Sequence, residues 1–364
     1  MDPTKDIRNL YDATRAGAIM TSLLQDRAPP DIDAKRAGLP TYGLDCLLIV
    51  VRMLYSVMLP IYGRTNDRSE ATEARNPLLR LAWQKFSYDE EACLEVAKAK
   101  DEVLQAFKAE NPDCFEPDFE YLANSALMEE TLWYRPEYQL FRPDLRWSGS
   151  EWQARSFTKA ESAELNVIPV TNDDAEETFQ DQVDELFGKK WIGGTPTIRM
   201  CNEPCIIRVL YQVESDVEPF PFSTIKNISV PVAEIGTSGY TSAARRSCYT
   251  LVAVVRLHED DQGRYDLVRT YSPLAEQLTP LPSITVLRGG NWSLESKGDS
   301  RSRNSRFMLF YTRTDNQEPH PWWEERCPVR GVVRGLQERA EESLRTELNA
   351  MKGRGDENQA ERSK

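Results

Sequence analysis

The chain has 364 residues, with 45 Lys and Arg against 58 Asp and Glu, a net charge of −13, seven cysteines and only two histidines, His258 and His320. That length suits one large domain with tails. The acidic balance leaves no basic footprint for duplex DNA or RNA, so nucleic acid is not an expected partner.

The first residues, Met1 to Asp6, lack the apolar run of a signal peptide. An intracellular chain is therefore expected, in cytoplasm or nucleus, with its cysteines reduced and the Asn-x-Ser matches at Asn227 and Asn291 unglycosylated. Residues 1–37 read as a helical arm that ends in the breaker cluster Ala28-Pro29-Pro30-Asp31. From Cys46 to Leu59 apolar residues are too dense for a one-faced surface helix, which predicts a buried helix stopping at Pro60. Asp45, Arg52 and Pro60 interrupt the apolar stretch from Leu44 to Tyr62, so no membrane span is expected there.

Residues 77–109 carry a further helical period. Between 111 and 160 come many aromatics, among them Trp133, Tyr138, Phe141, Trp147 and Trp152, in a pattern that anchors loops to a core. An acidic amphipathic helix is predicted from Asn172 to Gly188, with Asn172 as its N-cap and Phe179, Val183, Leu186 and Phe187 facing inward. After Gly193-Gly194 the period becomes that of strands, at 205–213, 225–232, 249–257, 265–271, 284–287 and 307–313, which predicts a mainly antiparallel sheet. Beyond 317 a charged helix over 332–352, with Leu336, Ala340, Leu344 and Leu348 in one stripe, is a candidate partner-binding element, and the last twelve residues form a polar tail.

A cysteine at the head of a buried helix, followed by an antiparallel sheet, is the layout of papain-like thiol hydrolases, whose nucleophile is a thiolate made by a helix N-terminus and an adjacent imidazole. On composition and position alone Cys46 reads as a small buried hydrophobe ahead of a nucleophile. The segment Gly38-Leu39-Pro40-Thr41-Tyr42-Gly43-Leu44-Asp45-Cys46 resembles the cysteine box of ubiquitin-specific proteases. Three later segments resemble that family in the same order. Pro204 to Tyr211 resembles its central strand, and Tyr249 to Val255 with Gly263 to Arg269 resembles its histidine box. Phe307 to Arg313 resembles the closing strand.

The resemblance implies an α+β, papain-like fold over 38–316, with a helical thumb at about 38–165, a palm sheet at about 166–316 and reduced fingers. It implies ubiquitin or a ubiquitin-like protein as partner, and no cofactor. It also assigns roles. Cys46 stands at the nucleophile position and Thr41 at the oxyanion position. Glu295, after Trp292, is nearest the third member, and Arg264 occupies the place of the family's general-base histidine. An arginine stays protonated at every usable pH and cannot take the thiol proton. Asp45 adds a negative charge beside the nucleophile position, unless it caps the helix.

The leading expectation is therefore a pseudo-deubiquitinase that binds ubiquitin with little or no isopeptidase activity. A working hydrolase with a rearranged base, His258 substituting from the 258–264 loop, is the alternative. An intracellular scaffold without ubiquitin contact is a third. Asp173 to Glu185 is a candidate acidic wall for a bound tail. The pair Cys201 and Cys205 has no second pair at zinc-ligand spacing, so no metal is expected.

Overall fold

The structure is a computed structural model that describes residues 3–10, 19, 22–24, 28, 41–63, 67–87, 89–113, 115–173, 177–214, 217–232, 235–236, 239–240, 245–257, 266–271, 277–278 and 305–314. The long apolar run forms the central helix α1, Tyr42–Val57, in which every residue from Gly43 to Ser56 is buried. Helix α2, Pro77–Leu81, starts on the Asn76 side chain, which accepts from the Leu78 N–H. Helix α3, Glu90–Glu110, starts on Asp89, which accepts from the Ala92 N–H. The helical period read over 77–109 is thus two helices, because α2 ends at Leu81 and Asp89 caps a fresh start for α3. Helix α4, Phe119–Ala123, has Asp118 as its cap.

Helix gives way to sheet at Tyr138. Strands β1, Asp144–Trp147, and β2, Trp152–Arg155, form a hairpin inside the stretch expected to be helical to about residue 165. The physical reasons are local: Gly149 adopts φ +96 at the turn, and Trp147 faces Trp152 across the strands with ring centroids 5.4 Å apart. Helix α5, Lys159–Leu165, and strand β3, Val167–Thr171, follow.

Helix α6 covers only Phe179–Glu185, shorter than the helix expected from Asn172 to Gly188. Its cap is Thr178, in a reciprocal capping box with Asp181. Asn172 does something else: it accepts the Glu214 N–H at 2.7 Å and donates to the Glu218 carbonyl at 3.2 Å, tying two loops together. Gly188, with φ +87, opens strand β4, Gly188–Ile192, which turns at Gly193-Gly194 into β5, Thr195–Arg199. Both turn glycines have positive φ, the geometry a two-residue hairpin needs. β2, β1, β5 and β4 make a separate four-stranded antiparallel sheet.

The larger sheet is built on β6, Ile206–Gln212, β7, Asn227–Val232, β8, Arg245–Arg256, β9, Leu267–Tyr271, and β10, Arg306–Thr314. Its order runs from the short strand Gln277–Leu278 through β9, β8, β10 and β6 to β3, with β7 paired to the first half of β8. All pairings are antiparallel except β3 with β6. The expected strands at 205–213, 225–232, 249–257 and 307–313 correspond to β6, β7, β8 and β10, and β9 covers part of 265–271. The strand expected at 284–287 lies outside the described residues.

Alternation places the sheet between two apolar cores. Ile206, Val252, Val255, Met308 and Phe310 join α1, α2, α3 and α4 in one. Ile207, Val209, Tyr211, Leu309 and Tyr311 join Phe179 and Val183 in the other. The fold is mixed α+β with largely antiparallel sheets. No helix among the described residues is long and apolar enough to cross a membrane.

Candidate functional site

The first turn of α1 holds the sequence-predicted nucleophile and oxyanion positions. Thr41 is the N-terminal flanking residue, and its carbonyl accepts the Asp45 N–H at 2.8 Å. Its side chain caps nothing; the hydroxyl donates instead to Asp45 Oδ2 at 3.1 Å. Asp45 is buried and ion-paired to Lys100 of α3, Nζ to Oδ1 2.7 Å, with the lysine side chain 1% exposed. Asp45 is therefore neither a helix cap nor an open negative charge. Its charge is met by a buried ammonium, which makes burial of both tolerable.

Cys46 follows at 1% exposure, within the apolar core that also contains Val252, Val255 and Val268 of the sheet. The turn is fixed from outside by a close approach. A Cβ on Gly43 would lie 2.3–2.4 Å from the backbone of Pro117, Asp118 and Phe119, so only glycine fits there. The same segment reaches the sheet: the Phe119 N–H donates to Asp266 Oδ2 at 2.8 Å, and Glu120 pairs with Arg306 of β10 at 2.5 and 2.8 Å. Residues 117–120 thus bridge the Cys46 turn and the head of β9.

Asp266 stands two residues after Arg264, so the bridge attaches the start of α1 to the middle of the Gly263–Arg269 segment. Arg264, His258, Glu295 and Trp292 themselves lie outside the described residues, as do His320 and the 332–352 stripe. The structure brings Cys46 and Thr41 together at the start of one helix.

Two residues of this site escaped the sequence reading. Lys100 carried a signal, because it interrupts the apolar stripe of Val96, Val103, Leu104 and Phe107 on α3, and a lysine on a buried stripe needs a carboxylate. Asp266 carried none beyond its place after Arg264-Tyr265.

Three carboxylates of the candidate acidic wall are engaged by the chain itself. Asp173 accepts the Thr171 hydroxyl, Asp181 closes the α6 capping box, and Asp184 pairs with Arg246 at 2.5 Å. Cys201 is buried and its thiol is pushed up to about 12 by burial, well away from thiolate chemistry. Cys93, Cys201 and Cys248 are free thiols.

No family model matches the chain, and no curated protein does. Among solved structures it is similar to chains of the SAGA DUB module Ubp8/Sgf11/Sus1/Sgf73. With that module bound to ubiquitin aldehyde the TM-score is 0.38 at 8% identity, covering 82% of this chain and 71% of that one. With a form bound to monoubiquitin it is 0.36 at 9% identity, covering 82% and 70%. A yeast SAGA DUB module matches at 0.35 and 8%, covering 82% and 70%.

Proposed function

We propose that this chain is a ubiquitin-specific-protease-like domain that binds ubiquitin or a ubiquitin-like modifier and performs little or no isopeptide cleavage. The reading rests on the ordered motifs from Gly38 to Arg313, and one observation carries its negative half: the Thr41 hydroxyl is committed to Asp45, which is itself committed to Lys100. The single proton of that hydroxyl is then directed away from any oxyanion formed at Cys46. Donation to a developing oxyanion is commonly the largest electrostatic term in acyl transfer, and one lost donor costs about 10² to 10³ in rate. Arg264 at the base position removes proton transfer, typically worth a further factor of about 10² to 10⁴.

The test is a ubiquitin whose C-terminus carries a thiol-reactive group, run beside a titration with unmodified ubiquitin. Saturable ubiquitin binding without labelling of Cys46 is the expected outcome. Efficient labelling that disappears in Cys46→Ala overturns the inactive reading and returns the hydrolase with His258 as base. Absence of binding returns the scaffold.

A further inference from the structure

β4 is an edge. In the order β2-β1-β5-β4 it pairs on one side with β5, and among the described residues nothing pairs with its other side. An uncovered edge offers a row of backbone N–H and C=O groups to an incoming strand. Its side chains alternate, so Lys189 and Trp191 share one face while Lys190 and Ile192 share the other. Trp191 is 73% exposed, opposite Pro196, and Trp147 at 37% lies on the same face.

Charge separates this sheet from the rest of the molecule. Residues 142–155 and 188–199 hold six cations against two carboxylates, in a chain of net charge −13. Asp144 is already held by Arg199, with Arg199 nitrogens 3.2 and 3.1 Å from its two oxygens. A second copy of the chain fits this edge poorly, because antiparallel self-pairing over all five residues of β4 sets Lys190 against Lys190. A nucleic acid strand over the tryptophans would find one cation, Lys189, on their face.

We propose that the free edge of β4 takes an extended segment of another protein as a fifth, antiparallel strand, and that the segment reads apolar-apolar-acidic-acidic in its own N-to-C direction. The two apolar residues pack on Ile192 and Trp191, and the two carboxylates meet Lys190 and Lys189. Backbone pairing supplies the affinity and the alternating contacts the selectivity.

The experiment uses the full chain and a short dye-labelled peptide containing Val-Val-Glu-Glu, with a Val-Val-Lys-Lys counterpart, followed by fluorescence anisotropy. The acidic peptide is expected to bind saturably and more weakly as salt rises. Trp191→Ala, at an exposed position, is expected to weaken it by about tenfold, and Lys189→Glu/Lys190→Glu to switch preference to the lysine peptide. Three results overturn the proposal: no saturable binding of the acidic peptide, equal binding to both variants, or displacement by an oligothymidylate. The chain's own Trp322-Trp323-Glu324-Glu325 carries the same pattern. Tighter peptide binding after removal of residues 315–364 would assign the edge to that segment and overturn an external partner.

Discussion

Arg52 is a guanidinium at 1% exposure in the middle of α1. Its nitrogens donate to the carbonyls of Ser22 at 2.7 Å, Leu23 at 3.2 Å, Ala82 at 2.7 Å and Gln84 at 2.9 Å, and its plane lies 4.8 Å from the Phe86 ring centroid. Such a clasp joins three chain segments through one side chain. Arg52→Met keeps the apolar stem but leaves four carbonyls without that donor, and a loss of about 3 kcal/mol or more is expected from the urea midpoint at unchanged slope. The pair of Asp45 and Lys100 behaves differently, since it can be removed as a unit. Lys100→Met alone should cost about 3–5 kcal/mol by stranding a buried carboxylate, while Lys100→Met with Asp45→Asn should recover most of the loss. Asp45→Asn still offers the Thr41 hydroxyl a carbonyl oxygen, whereas Asp45→Ala with Lys100→Met removes the acceptor, so measuring the Cys46 labelling of that variant by the ubiquitin probe separates stability from chemistry. From sequence alone Asp45 offered two readings, cap or repulsive neighbour. Neither was right, because its partner is 55 positions away on a different helix.

At the scale of elements, legibility followed periodicity and failed at caps. The α1 run and the strands β6, β7, β8 and β10 were readable because burial on one or both faces repeats along them. The α6 start was misplaced by several residues, because Asn172 and Thr178 are equally good N-caps by composition and only tertiary contacts with Glu214 and Glu218 decide between them. The Gly193-Gly194 hairpin was in plain view as a turn signal but served only to mark a change of period. Gly43 belongs here too: Gly43→Ala must displace residues 117–119 or tilt α1, and overpacking of this kind should lower stability by about 1–3 kcal/mol, read as a fall in melting temperature.

A π-helical turn, Glu129–Trp133, gives the second prediction at this scale. Glu129 lies 3.3 Å from buried Arg208, whose guanidinium sits 4.4 Å from the Trp133 ring centroid. Burial pushes the Glu129 carboxyl above its ordinary value of 4.5, partly offset by Arg208. The native state therefore holds this proton more tightly than the unfolded chain. Its stabilising effect is complete below the ordinary value and is lost as pH rises through the raised one. Glu129→Gln should flatten that part of the stability profile, measured by urea unfolding between about pH 4 and 7. An unchanged slope would show that Arg208 keeps the carboxylate charged throughout.

For the whole molecule, the decisive question is whether residues 1–37 are an appendage or part of the domain. Ile7, Ile19 and Leu23 are 0%, 3% and 0% exposed and lie in the same core as α1. The Ile7 N–H donates to Trp83 and the Lys85 N–H to the Lys5 carbonyl, both at 2.8 Å, stitching the first residues to the end of α2. Arg8 pairs with Asp6 at 2.6 Å and Glu73 at 2.7 Å, over the Trp83 ring. Two of the four carbonyls on Arg52 come from Ser22 and Leu23. Deleting residues 1–37 removes three buried aliphatic side chains, at about 2–5 kcal/mol each when a core residue is lost, and half the acceptors of a buried guanidinium. Those losses together are comparable to the whole stability of most domains, about 5–15 kcal/mol. The 38–364 chain should therefore lack a cooperative urea transition and near-ultraviolet dichroism, even though every candidate site residue is retained. A two-state transition at the full-length midpoint would instead make the segment an arm in the sense its breaker cluster suggested. The outcome also decides how the ubiquitin titration must be done, since a fragment cut at the motif boundary would lose binding for want of a fold.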